Sequence, residues 1–294
     1  EYDYDLLESC FGGILPWREI LPRVGGPDDV AGTVTTATAS ELGLTPGIPV
    51  TVGGGDQHIA ALGLGIEEGD VVVSIGTSGV VYTSSSRAVP SGRADGVANV
   101  TGGWLPLVCT LNSTKVTDWM AALLGVNVKE LDALAWTALE RNAQAPVFAA
   151  YLDGERSPAY PGVTGVIAGL TSSVSREEFA LSAFYGVALG LVRGLEAIRD
   201  SGVEVGGRVI AVGGGARSEV YTQVLADLLG RPVEVINEPE ATARGACVQA
   251  IAAVTREGVV SAGSRLRPLT ARVTHPRSEA TWRDLRENYL GVCD

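Results

Sequence analysis

A chain of 294 residues, 46% hydrophobic and 19% charged, is long enough for one large or two ordinary globular domains and too apolar to be disordered. Its net charge of −12 disfavours nucleic acid and anionic membrane as partners, because both need a basic face. Cys10, Cys109, Cys247 and Cys293 stand far apart without metal-ligand spacing, so free thiols in a reducing cytoplasm and no protein metal site are expected.

The chain begins on Glu1 with an acidic stretch over residues 1–9, then Gly12-Gly13-Ile14-Leu15-Pro16-Trp17 as loop. This start predicts entry in the middle of a fold. Residues 10–32, rich in Pro and Gly, predict irregular connection. A short helix is expected over Val34–Leu42, stopped by Gly43, then a turn at Thr45-Pro46-Gly47 and a buried strand over Ile48–Val52. Asp56 stands at the helix N-cap position ahead of Gln57–Gly63. A polar turn over Gly65–Asp70 is the candidate domain boundary, dividing residues 1–64 from 65–294.

Val71–Ile75 and Val80–Thr83 flank Gly76-Thr77-Ser78-Gly79 and predict a β-hairpin with a four-residue loop. A long surface loop is expected over 84–103, then a third strand over Trp104–Leu111. Helical spacing follows over Thr114–Leu124, and over Val128–Leu139 behind an Asn127 cap. Val147–Leu152 predicts a strand leading into the polar loop Tyr151–Pro158. Ser175 and Glu178 form a capping box for a helix running to about Arg199. The apolar stretch 179–198 within it is broken by Arg193 and Glu196 and predicts a buried helix; no signal peptide is recognisable. Val209–Val212, a helix over Glu219–Leu229, Val233–Ile236 and a helix over Glu240–Val254 alternate, which predicts parallel strands. Three antiparallel strands followed by βαβα units is the pattern of the α/β ribonuclease H-like, actin-like ATPase fold: a mixed sheet with flanking helices.

Three segments are candidates for chemistry. Asp56 follows Gly53-Gly54-Gly55, which strip side chains from a strand end and admit another molecule. It reads either as an N-cap or as a general base taking a proton from an attacking hydroxyl. Gly76-Thr77-Ser78-Gly79 reads either as a plain hairpin or as a phosphate cradle of backbone N–H groups with the Thr77 hydroxyl. It is no P-loop, since no Gly-Lys-Ser/Thr follows. Gly213-Gly214-Gly215-Ala216 lies between strand and helix and can let a flat base rest on the backbone, with Arg217 and Ser218 in reach. The absence of GxGxxG with a distal acid excludes a dinucleotide site. Glu240–Ala246 can wall the same pocket or serve close helix packing. His58 and His275 form no triad or zinc site and suit turn or surface roles, and Lys115 suits a solvated face.

Together these segments resemble the FGGY carbohydrate kinases, and among them most the xylulokinases. The resemblance runs from Cys10 to about Ala253. It rests on Val30–Val34, Gly47–Val50, Gly53–Asp56, Gly76–Gly79, Tyr151–Pro158 and Gly213–Ser218 in this order and spacing. It implies ATP-dependent phosphorylation of a sugar hydroxyl, D-xylulose to D-xylulose 5-phosphate, in the cytoplasm. Asp56 would be the catalytic base and Gln57 a substrate-side residue. Gly76, Thr77 and Ser78 would meet the ATP phosphates. Gly214, Gly215, Ala216 and Arg217 would lie against adenosine, with Mg²⁺ bridging phosphates; a homodimer stays open. Other acceptors of the family (gluconate, glycerol, ribulose) and a non-catalytic nucleotide-binding fragment are the alternatives. Such kinases have two similar domains. Residues 1–64 resemble the end of the first, sugar-binding domain and 65–294 the second, nucleotide-binding one. Ala159 stands where xylulokinase-like chains usually place a histidine.

Overall fold

The computed structural model describes residues 2–89, 92, 94–277 and 282–293. Residue 1 of the acidic start and positions 90, 91 and 93 of the expected 84–103 loop fall outside the described residues.

The first elements are short and open to solvent. α1 (Tyr4–Phe11) is capped by Asp3, whose Oδ1 accepts from the Leu6 amide at 2.9 Å. α2 (Trp17–Ile20) and β1 (Val30–Thr33) occupy the stretch expected to be irregular. β1 escapes a periodicity reading because all four of its residues are exposed, so it carries no inside–outside alternation. Its order comes from β2 (Pro49–Thr51), to which it pairs antiparallel across α3 (Thr36–Leu42). α3 starts on the Thr35 cap and stops at Gly43 in the left-handed region, as its pattern predicts. Among the described residues before Ile59, Ala39 alone has a buried apolar side chain, while Leu6, Phe11, Ile14, Leu44 and Ile48 are exposed.

α4 (Asp56–Leu64) ends on Gly65 in the left-handed conformation, and the chain reverses into β3 (Val71–Ile75). β4 (Gly79–Thr83) pairs back on β3, β6 (Trp104–Thr110) pairs on β4, and β5 (Asp95–Ala98) pairs on the outer side of β6, all antiparallel. α5 (Thr114–Leu124) and α6 (Val128–Glu140) follow, the latter with a capping box from Asn127 and Glu130. β7 (Val147–Ala149) and β8 (Val166–Ala168) form a separate ribbon ahead of the 25-residue α7 (Arg176–Asp200), whose Ser175–Glu178 capping box is present. Then come β9 (Val209–Val212), a 3-10 turn (Gly214–Arg217), α8 (Glu219–Leu229), β10 (Val233–Ile236) and α9 (Ala241–Thr255). α10 (Val259–Arg265), β11 (Thr270–Thr274) and α11 (Trp282–Cys293) close the chain.

The main sheet has seven strands in the order β11-β10-β9-β3-β4-β6-β5. β3, β9 and β10 are mutually parallel; the other neighbours run antiparallel. Both faces are covered, so β3 is apolar and buried except at the half-buried Ser74. Val71, Val73 and Ile75 pack into the layer of α5–α8, and Val72 packs with Ala61 and Leu64 of α4. This is the mixed, helix-flanked α/β sheet that the strand pattern predicts.

The expected 84–103 loop contains β5, whose Asp-Gly-Val-Ala sequence has low strand propensity; as an edge strand it needs only one partner. The hairpin loop has three residues, Gly76-Thr77-Ser78, because Gly79 pairs with Ile75. The strand expected over 147–152 ends at Ala149, where its partner β8 begins at Val166. α7 is long and apolar enough by composition to cross a membrane, yet 78% of its apolar window is buried in the core.

Candidate active site

The carboxyl ends of β3 and β9 gather the residues singled out from the sequence. Because α4 runs antiparallel to β3, its first residue, Asp56, reaches the same end of the sheet as the Gly76–Ser78 turn. The parallel register Ser74↔Val212 sets Gly213 beside Ile75. Two triplets and one turn from distant sequence thus meet along one edge, where ligands bind in open α/β sheets.

Asp56 is not the N-cap that its sequence position predicts. Gly55 takes the extended cap conformation, and Asp56 is the first helical residue, its Oδ1 accepting from the Gln57 amide at 2.8 Å. The three glycines before it release the chain from side-chain demands, so the helix starts one residue earlier than a capping aspartate requires. Asp56 is exposed, and Gln57 beside it is half-buried. His58 lies in the same turn, its Nδ1 buried without a partner among the described residues and close above Gly55.

α4 is fixed from behind by α9. A Cβ on Gly245 would stand 1.8 Å from the Ile59 carbonyl oxygen, and one on Gly63 only 2.1 Å from that of Ala241. The two helices therefore cross with backbones in contact. The Thr242 hydroxyl also donates to the Asp56 carbonyl at 3.4 Å. The small residues of 240–246 serve this crossing and do not wall the base pocket; of the two readings, close helix packing holds.

The Gly76–Ser78 turn is tied to α5, since the Gly76 carbonyl accepts from the Thr114 amide at 2.9 Å. Ser113, before that helix, is fully buried, and its Oγ has no partner among the described residues. The 3-10 turn after β9 needs its glycines for packing. Gly213 has φ 91°, and a Cβ on Gly215 would sit 2.3 Å from Ile75 Cγ2. A Cβ on Gly214, by contrast, would meet nothing within 4 Å and would project into open space.

That space is a cavity of about 590 Å³, bordered by Gly76, Thr77, Gly214, Gly215 and Arg217 of the expected residues. Ala216 does not reach it. It is buried beside an adjoining smaller cavity of about 130 Å³ next to Asn237 and Glu238, which Gly214 and Arg217 border as well. Ser78, Asp56 and Gln57 also lie outside the lining of the larger cavity.

Asp118, Lys129, Asp132 and Ser218 line the cavity and were not singled out from the sequence as site residues, apart from the reach of Ser218. Burial pushes the Asp132 carboxyl above its ordinary range; the Ser218 hydroxyl, donating at 2.9 Å, opposes this, and the Glu219 charge adds to it. Lys129 and Asp132, three apart on α6, share one helix face, and that spacing was the available signal. Lys115 is paired with Asp153 at 3.3 Å instead of standing alone on a solvated face. His275 lies away from the site, its carbonyl accepting from Gln223.

The cavity has room for a small-molecule ligand beside Thr77. It is bordered by bare backbone at Gly214, and an unpartnered buried hydroxyl lies at the start of α5. The mixed seven-stranded sheet with helices on both faces and a cavity at the carboxyl ends of its parallel strands defines a protein of the actin-like ATPase fold.

Comparison with known proteins narrows the class. The profile "FGGY family of carbohydrate kinases, C-terminal domain" matches residues 71–254, more than half of the chain. The chain belongs to the FGGY family of carbohydrate kinases. It is 37% identical over 270 residues to the xylulose kinase of Streptomyces rubiginosus, covering 90% of this chain and 52% of that protein. It is 28% identical over 260 residues to the gluconokinase of Bacillus subtilis, covering 80% of this chain and 51% of that protein. The crystal structure of xylulose kinase from Bifidobacterium adolescentis superposes with TM-score 0.80 at 31% identity, covering 100% of this chain and 59% of that one. The chain spans about half the length of the curated relatives it matches.

Proposed function

We propose that the protein transfers the terminal phosphoryl group of ATP to a primary hydroxyl of a pentulose, converting D-xylulose to D-xylulose 5-phosphate. The observation that carries this reading is the meeting of Asp56, the Gly76–Ser78 turn and the Gly214–Arg217 turn at one sheet edge, in a chain similar to xylulose kinases. Asp56 accepts the proton of the attacking hydroxyl. Thr77 and Ser78 hold the phosphates through backbone N–H groups and hydroxyls, in a turn that Gly76 closes by donating its own N–H to the Ser78 carbonyl at 3.2 Å, and Gly214, Gly215 and Arg217 border the nucleoside. Gln57 contacts the acceptor. Among the described residues no three His, Cys, Asp or Glu side chains gather to hold a metal ion, so Mg²⁺ would ride on the phosphates and neutralise their charge. Rate comes mostly from orienting hydroxyl and phosphoryl group in line, with base help worth about 10²–10⁴-fold.

Residues 1–64 are then the end of a sugar-side domain and 65–294 the nucleotide-side domain of a cytoplasmic enzyme of sugar metabolism. A coupled ADP-release assay on the protein purified at its native length, with xylulose, ribulose, gluconate and glycerol, tests the reading. The expected result is the highest kcat/KM for D-xylulose. Preference for gluconate, favoured by the gluconokinase match, would replace the substrate and keep the reaction. ATP binding without ADP release for any sugar would replace the enzyme by a nucleotide-binding module.

A further inference from the structure

The polar loop Tyr151–Pro158 plays no part in the reading above, yet its Glu155 is the most heavily bonded carboxylate near the sheet edge. Glu155 is buried, with 5% exposure. Its Oε1 accepts from the Leu111 amide at 2.5 Å and from the Arg156 amide at 2.7 Å, and its Oε2 accepts from Asn112 Nδ2 at 2.9 Å. Asn112 Nδ2 also donates to the Gly154 carbonyl at 2.8 Å. A carboxylate taken out of water and satisfied by three donors is an anchor, and here it clamps the loop onto the end of β6.

What the anchor delivers is Arg156. The alternation of strand residues places it. Leu105 and Leu107 of β6 pack in the α4 layer, as does Cys109, while Val108 packs in the α5–α8 layer. In register, Cys109 stands opposite Val80, one step from Gly79 and the hairpin turn. The Cys109 thiol therefore looks out on the α4 side of that turn. The exposed Arg156 guanidinium lies against this thiol, and the carboxylates of Asp56 and Asp95 act on it through space. The nucleotide cavity opens on the opposite side, toward α5, α6 and α8. The Gly76–Ser78 turn is thus a divide, with a nucleotide on one side and Asp56 with Arg156 on the other.

We propose that Arg156 is the cation that meets the terminal phosphoryl group of ATP on the acceptor side of this turn, and that Glu155 is the positioning residue that holds it there. This rests on the kinase reading above. A cation there lowers the like-charge repulsion that a polyphosphate meets on nearing Asp56 and Asp95 in a chain of net charge −12, beyond what a metal ion on the phosphates offsets. A guanidinium is suited to it, being always charged and able to grip two phosphate oxygens at once.

The terminal phosphate separates ATP from ADP, so calorimetry with both nucleotides is the test. Arg156→Gln is expected to weaken ATP binding about tenfold and leave ADP binding unchanged, the value of one charge-assisted contact. Arg156→Lys should recover part of the loss. Glu155→Gln should show the same ATP-selective loss, a pattern that a merely structural role would not produce. ATP, and not ADP, should slow alkylation of Cys109 by iodoacetamide, followed on the Cys109 peptide by mass spectrometry. Equal loss of both nucleotides in Arg156→Gln, or no loss of either, overturns the proposal and leaves the kinase reading standing. Failure of the unaltered chain to bind either nucleotide overturns both.

Discussion

Two glycine triplets sit at strand ends in this chain, and the sequence writes them almost alike. Gly213-Gly214-Gly215 is closed: Gly213 and Gly215 are pressed onto Ile75, where any Cβ would enter space already filled. Gly53-Gly54-Gly55 is open at Gly53, which has φ 73° and nothing within 4 Å of an added Cβ. The closed triplet is a packing device that lets β9 turn over β3 and leaves one bare position, Gly214, facing the cavity. The open triplet is a conformational device that frees the chain to start α4 on Asp56. Glycine at the end of a strand therefore carries two meanings, tight packing and special backbone geometry, and only the neighbours tell them apart.

The comparison can be broken by substitution, beginning with the largest effect. Asp56→Asn should lower turnover by about 10²–10⁴-fold while leaving the thermal midpoint and ATP affinity unchanged, since an exposed carboxylate supports chemistry and not packing. Steady-state kinetics beside a thermal melt would decide; a retained turnover sinks the assignment of the base. Gly215→Ala should destabilise by about 1–3 kcal/mol in a denaturant titration, because its Cβ would meet Ile75 at 2.3 Å. Gly53→Ala should cost about 1 kcal/mol, from backbone strain alone. If Gly53→Ala proves the costlier of the two, the contrast between closed and open triplets fails. Gly214→Ala should leave stability unchanged and weaken ATP about tenfold by filling the cavity wall. The smallest effect concerns Cys109, whose thiol burial holds above its ordinary value against the opposing Arg156 charge. Its alkylation rate should go on rising with pH beyond the range where a free thiol such as that of glutathione has levelled off, and Arg156→Gln should move that rise still higher.

Local signals made most of the elements legible. Caps at Ser175 and Asn127, stops at Gly43, Gly125 and Gly230, and β-branched runs at 71–75, 209–212 and 233–236 each act within a few residues of chain. β1, β5 and β8 were not legible, because each is short, exposed and ordered by a partner strand rather than by its own composition. The site divides the same way. Asp56 and the Gly-rich turns announce themselves as residues, but their meeting depends on the parallel pairing of β3 with β9, which are more than a hundred residues apart. The resemblance set Ala216 with Gly214, Gly215 and Arg217 against adenosine; which of the two adjoining cavities each borders depends on the 3-10 turn, with Ala216 on the smaller one.

The sequence by itself determined the alternation of strands and helices, the glycine-rich strand ends and the acid that follows one of them, since propensity, capping and turn chemistry act between near neighbours. It also determined the family, through motifs kept in order and spacing. Tertiary structure alone decided that the Gly76–Ser78 turn lies between the cavity of α5, α6 and α8 and the side holding Asp56. It alone showed that Glu155 and Arg156 reach that side, and that 240–246 brace α4 instead of lining a pocket. These outcomes rest on which face of the sheet a side chain takes and how closely two backbones approach, and both are set by contacts between residues far apart in the chain.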